Sequence, residues 1–248
     1  MALPFFYLSR YDPGANTTEI TLDEDNSRHI AQVLRMQPGE TLQLTDGKGA
    51  LLTASILDNH KKKCVVRVLS VHTLPPKEKR ISIAISPLKN ASRFEWFLEK
   101  ATEIGVGEII PLLCEHTERQ HTRQDRLQSI LTSALLQSQQ SWLPVLREPT
   151  LFTQFIASAH YDQRLIAHCL EAPRPTDALA DWLRRQPATA LPGSPAPTQL
   201  ILIGPEGDFS PKEVEAAIIK EFVPVTLGAN RLRTETAGVV AATLLCIG

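Results

Sequence analysis

Between Leu200 and Val240 the chain twice runs from a short apolar segment, through a glycine-bearing turn, into a helix start. The first passage is Leu200 to Ile203, then Gly204, Pro205, Glu206 and Gly207, then Ser210, Pro211 and Glu213. A short β-branched apolar run reads as a buried parallel strand. Ser, Pro and Glu at that spacing supply an N-cap, a first-turn proline and a capping-box partner. The second passage is Pro224 to Leu227, then Gly228 to Arg233, with Thr234 expected as N-cap of a helix over Ala237 to Ile247. Turns of this kind lie at the carboxyl ends of strands, where open α/β sheets bind ligands.

Neither turn is a phosphate cradle. A P-loop needs Lys and Ser/Thr after its last glycine, and a dinucleotide turn reads GxGxxG. The first turn instead carries Glu206 and Asp208, which repel a pyrophosphate. Close backbone approach without anion attraction suits a ligand that is neutral or cationic there, and the sulfonium of S-adenosylmethionine (SAM) qualifies.

The rest of the chain divides in two. From Phe5 to Val71 the segments are short, alternating and punctuated by turns, which reads as a small β-barrel with one short helix over Ser27 to Arg35. Thr73 to Arg80 (TLPPKEKR) is the best boundary. Beyond it strands and helices alternate: Ile81–Ser86, helix Ser92–Ile104, Glu108–Cys114, helix Arg123–Gln140, Arg164–Cys169, helix Thr176–Arg185, then the two passages above. Such alternation means a parallel sheet with helices on both faces. Pro187 to Pro197 is expected to be a mobile loop. In the first helix Phe94, Phe97, Leu98, Ala101 and Ile104 form one apolar face, with a capping box expected from Ser92 and Glu95 and a stop at Gly105. Arg93 and Trp96 fall off that stripe. Trp96 is then a surface residue, a base-stacking platform or part of a subunit interface.

A formal net charge of −1 argues against bulk electrostatic attachment to nucleic acid. Any RNA contact must be local, at Lys61, Lys62, Lys63 with Arg67, at Lys77, Lys79, Arg80, or at Arg119, His121, Arg123, Arg126. Residues 1–80 carry 11 Lys/Arg against 9 Asp/Glu, and the remainder 15 against 18, which weakly favours the amino-terminal part as the RNA platform. The longest nearly apolar run, Ala237 to Ile247, is about half the ~20 residues a bilayer requires. Leu3 to Leu8 is too short for a secretory leader and contains Pro4. Cys64, Cys114, Cys169 and Cys246 form no CxxC pair, and the nearby His116, His121 and His168 lack metal-site spacing, so no metal, no membrane and a cytoplasmic location are expected.

IGPEGDFSPKE followed by LGANRLRTETA resembles the signature of the bacterial small-subunit rRNA uridine-N3 methyltransferases, the RsmE type within the SPOUT class of SAM-dependent enzymes. HIAQVLRMQPG with Asp46 and Gly47, and KNASRFEWFLEKATEIGV, extend the likeness over nearly the whole chain. The resemblance implies a SPOUT-type sheet threaded into a trefoil knot over residues 80–248, preceded by a PUA/OB-like β-barrel over residues 1–74. It implies SAM as cofactor, 16S rRNA or the small ribosomal subunit as partner, and a homodimer. Cofactor contacts are expected from His168, Leu170, Ile203, Gly204, Pro205, Glu206, Gly207, Leu227, Gly228, Leu232, Arg233 and Thr234, and RNA contacts from Arg28, Arg35, Lys62, Lys63, Arg93 and Arg231.

Methylating uracil N3 requires loss of the imide proton, so Arg233 is the candidate for stabilising the developing anion and Glu235, if it faces the pocket, for the base. Two positions depart from the family. Asp208 stands where many members have glycine, and Gln139, Gln140, Ser141 and Trp142 stand where many have a Gly-Arg pair, leaving Trp142 as a possible stacking substitute. Other SPOUT reactions, on a ribose 2′-hydroxyl or another rRNA base, and a non-catalytic ribosome-assembly factor, are the alternative readings.

Overall fold

The computed structural model describes residues 3–12, 18–77, 79–118, 122–169, 177–186 and 197–247. The chain forms two compact units, one of residues 1–76 with 135–143 and one of residues 77–134 with 144–248. The expected loop at Pro187–Pro197 falls, except for Pro197, outside the described residues.

In the first unit, β1 (Phe5–Tyr7), β2 (Glu19–Thr21), β3 (Thr41–Thr45), β4 (Ala50–Asp58) and β5 (Val65–Thr73) form one sheet in the order β1-β3-β4-β5-β2. All pairs are antiparallel except β1 with β3. Alternate residues of β4, Leu52, Ala54 and Ile56, are buried with Leu42, Leu44 and Val66, and register shifts between β4 and β5 curl the sheet. The short helix starts earlier than Ser27: α1 (Glu24–Arg28) is capped by Asp23 and continues as a wide π-type turn over His29–Val33. Trp142, offered as a stacking residue, is partly exposed. Its ring covers Gly49, where a Cβ would lie 2.4 Å away.

The second unit is an all-parallel sheet of β6 (Arg80–Ile85), β7 (Glu108–Leu113), β8 (Val145–Leu146), β9 (Thr150–Leu151), β10 (Gln163–Ala167), β11 (Asp177–Ala178), β12 (Thr198–Ile203) and β13 (Val223–Thr226). The order is β11-β13-β10-β12-β6-β7-β8, with β9 also on β7. The helices are α2 (Ala91–Ile104), α3 (Gln124–Gln137), α4 (Phe152–Ser158), α5 (Leu179–Arg184), α6 (Pro211–Ile219) and α7 (Thr234–Ile247).

Both faces of the sheet are covered, as continuous apolar strands require. Leu200 and Leu202 of β12 join Phe152, Ile156, Val214 and Ala217 of α4 and α6. On the other face Ile85 of β6 meets α7 and α2, and a Cβ on Gly238 would lie 2.6 Å from Phe97 and 2.8 Å from Ile85. Glycine thus sets how closely α7 approaches the sheet. From β13, beside β10, the chain passes back to lay α7 against β6 and β12.

Several helix starts differ from the sequence reading. Asn90, not Ser92, caps α2 by accepting from the Ser92 amide, and Glu95 is instead held by Arg126 at 2.5 and 2.8 Å. Thr234 is the first residue of α7, and the Arg233 carbonyl accepts from Ala237. Ser210 and Glu213 form the expected capping box.

At the opposite, amino-terminal end of the strands, Glu108 accepts from Ser82 Oγ (2.7 Å), Arg147 Nε (2.5 Å) and Tyr161 OH (2.8 Å). Burial alone raises this carboxyl's pKa, but the three hydrogen bonds outweigh it and hold it below the usual range. A depressed carboxyl stabilises the fold fully above its unfolded value, about 4.3, and that contribution is lost as pH falls through the folded value. Glu108→Gln is therefore expected to cost about 1–2 kcal/mol at pH 7, with the difference from the unaltered protein shrinking as the pH drops below about 4. Urea denaturation across pH 7 to 3 checks this, and a pH-independent difference contradicts it.

Candidate active site

Three neighbouring strands of the second unit end level with one another. Ala167 of β10 is in register with Ile203 of β12 and with Val225 of β13. Beyond these ends opens a cavity of about 640 Å³, within the roughly 300–1,000 Å³ of small-molecule sites. It is walled by the last strand residues Ala167, Ile203 and Thr226, by the segments that follow them, and by Arg93 and Ala237.

Local sequence explains each wall. Gly204 lets the first turn fold onto Phe209, because a Cβ there would lie 3.1 Å from the Phe209 amide and ring. Phe209 is buried and rests on Phe152 at 5.6 Å between ring centroids. The Ser210–Glu213 box starts α6 immediately afterwards, and the second Glu213 oxygen accepts from the Glu115 amide at 2.9 Å, in the segment after β7. Gly228 opens the second turn at φ 136°, a conformation that favours glycine.

Of the residues expected at the cofactor, His168, Ile203, Gly204, Pro205, Glu206, Leu227, Gly228, Leu232, Arg233 and Thr234 line the cavity. Gly207 is not on its wall and instead packs beside His116. Leu170 lies outside the described residues. Arg93 and Arg231, expected at RNA, also line the cavity. Arg28, Arg35, Lys62 and Lys63 are exposed in the first unit, with Arg28 held by Glu24 at 3.2 Å. Of the other basic candidates, Arg67 pairs with Glu19 and Arg126 with Glu95, while Arg119 and His121 lie outside the described residues.

Ala229 and Asn230 line it as part of the Gly228–Thr234 loop, whereas sequence reasoning did not place Ala167, Cys169, Asp208, Thr226 or Ala237 on the wall. Asp208 adopts φ 64°, which explains why glycine suits this position and why aspartate, one of the few residues that tolerate it, can replace it. Burial, and then the Asp208 carboxylate, raise the Cys169 thiol pKa, partly offset by Arg231, so that sulfur stays protonated at neutral pH. Cys114 is buried and His116 contacts the Asp208 carbonyl at 3.0 Å. Among the described residues no cluster of three His, Cys, Asp or Glu could hold a metal, and no helix is long and apolar enough to cross a membrane.

The cavity is electrically mixed, with Glu206 and Asp208 from the first turn and Arg231 and Arg233 from the second. Glu235 is buried and off the wall, with Oε1 3.8 Å from Arg93 Nε and Oε2 without a hydrogen-bond partner among the described residues. Its geometry is that of a group behind Arg93.

Residues 75–246 match the family described as RNA methyltransferase domain, and residues 22–69 the RNA methyltransferase PUA domain. A ribosomal RNA small subunit methyltransferase E from Synechocystis is 31% identical over 226 residues, spanning 90% of this chain and 71% of that protein. Among solved structures, a probable rRNA-methyltransferase from Porphyromonas gingivalis is 41% identical with a TM-score of 0.83, covering 99% of both chains. A ribosomal RNA small subunit methyltransferase E from Neisseria gonorrhoeae bound to S-adenosyl methionine is 26% identical with a TM-score of 0.81, covering 97% of this chain and 95% of that one.

Arg93→Ala leaves the Glu235 charge buried without its partner and is expected to cost on the order of 1 kcal/mol, a modest figure because the arginine end is exposed. Adding Glu235→Gln should recover that loss. Chemical denaturation of the single and double variants checks this, and simple additivity contradicts it.

Proposed function

Because the chain belongs to the RNA methyltransferase family that includes the small-subunit methyltransferase E proteins, we propose that its cavity binds SAM and serves methylation of uracil N3 in 16S rRNA. The observation that carries this reading is the cavity at three level strand ends, walled by two glycine turns of opposite charge. The residues present fit SAM. The volume suits it, Gly204 lets the first turn fold onto Phe209 while lining the cavity with backbone, and the acidic first turn suits a cation.

When bound, SAM supplies a methyl group made electrophilic by its sulfonium. The chain's own residues do the rest. N3 carries no free lone pair until its proton leaves, so the site must favour the imide anion. Arg93, Arg231 and Arg233 on the wall attract that charge. Arg233, at the cap of α7, is assigned to the anion spreading onto O2 and O4. Glu235, behind Arg93, is retained as the candidate acceptor of the proton, taken through an intervening water because the guanidinium itself cannot pass one on. Because N3 lies on the Watson–Crick edge, the target base must be unpaired or extruded.

The first unit is read as the RNA platform, with Arg28, Arg35, Lys62 and Lys63 on its exposed surface. The apolar face of α7 at Val239, Val240 and Leu244, only half buried within one chain, is read as a homodimer interface. A cytoplasmic location follows from the proposed substrate.

In a strain deleted for this protein, nucleoside mass spectrometry of 16S rRNA should lose N3-methyluridine, and the gene should restore it. Loss of a 2′-O-methyl or another modified base instead contradicts the N3 assignment. Single-turnover transfer at saturating SAM by Arg233→Ala and Glu235→Gln should fall about 100-fold or more; near-normal rates in either remove that residue from the chemistry.

A further inference from the structure

We propose that Asp208 is a positioning residue that clamps the segment after β10 to the turn after β12, and so sets the shape of the cavity; this rests on reading that cavity as the SAM site. Its backbone amide closes the turn on the Pro205 carbonyl at 2.9 Å. One carboxylate oxygen accepts from the Phe209 amide at 2.7 Å, within the same turn. The other reaches 39 residues back in sequence, to the Cys169 amide at 2.8 Å. Its carbonyl oxygen lies 3.0 Å from His116 Nδ1, in the segment after β7. A single residue thus joins segments that follow three different strands.

The side chain is specific to this task. An ionised carboxylate presents acceptors on both oxygens, so it satisfies two amides at once. Asparagine offers one acceptor and turns an NH2 toward the other amide, and glycine offers neither. The left-handed φ of 64° is easiest for glycine, so the position tolerates loss of the side chain without loss of the turn. Ala167 to Cys169 and Ile203 to Glu206 are both wall segments, and Asp208 is where they are tied.

Asp208→Gly, Asp208→Asn and the unaltered protein should be compared by calorimetry with SAM and with S-adenosylhomocysteine, by amide hydrogen exchange at Cys169, and by steady-state kinetics. Glycine is expected to speed exchange at Cys169 and to weaken both ligands about tenfold, as for a lost charge-assisted hydrogen bond. KM for SAM should rise with Kd while kcat at saturation changes little, and asparagine should not restore the affinity. Normal affinity in Asp208→Gly, or unchanged exchange at Cys169, overturns the clamp. Weakening of SAM alone marks a direct charge contact and overturns the positioning role. If the unaltered protein binds neither ligand, the reading of the cavity itself fails, an outcome distinct from failure of the clamp alone.

Discussion

The site depends on one register. β13, β10 and β12 are parallel neighbours whose ends coincide, Ala167 opposite Ile203 and Val225. Parallel strands aligned this way deliver their following segments to a common edge, and a cavity forms where those segments separate. Slipping β10 by one residue would send Leu165, Ile166 and Ala167 to the opposite faces, where each helix layer is packed for a different side chain. The apolar packing of α4 and α6 on one face, and of α2 and α7 on the other, therefore holds the ligand site in place as well as the fold.

Given that frame, the segments beyond the strands divide the work. The first turn is shaped by contacts that leave little freedom: Gly204 under Phe209, the Ser210–Glu213 box, and Glu213 on the Glu115 amide. The second turn is opened by Gly228 and carries two arginines on the cavity wall. Acidic groups come from one and basic groups from the other. A ligand with a cationic centre and a substrate that becomes anionic can then occupy one cavity without like charges being forced together.

Much of this was legible in the sequence because its signals are local. Apolar runs marked β6, β7, β10 and β12 within a residue or two, Gly105 ended α2 at φ 104°, and Ser-Pro-x-Glu announced α6. The paired glycine motifs pointed to the cavity and to most of its wall. What stayed hidden was decided by distant contacts. Glu95 went to Arg126 rather than back to its own helix start. β8 and β9, two residues each, exist only because β7 offers an edge, and α4 was missed between them and β10. Cys169 and Asp208 meet across 39 residues, and Arg93 reaches the wall from the second unit's first helix. No periodicity carries such pairings.

The most direct test of the account is a crystal structure of this protein grown with SAM. The cofactor is expected beyond the ends of β10, β12 and β13, against the backbone of Gly204 to Glu206 and of Leu227 to Leu232, with Asp208 still bridging to Cys169. SAM bound elsewhere on the chain, or that cavity filled by collapsed side chains at saturating SAM, would contradict the central claim.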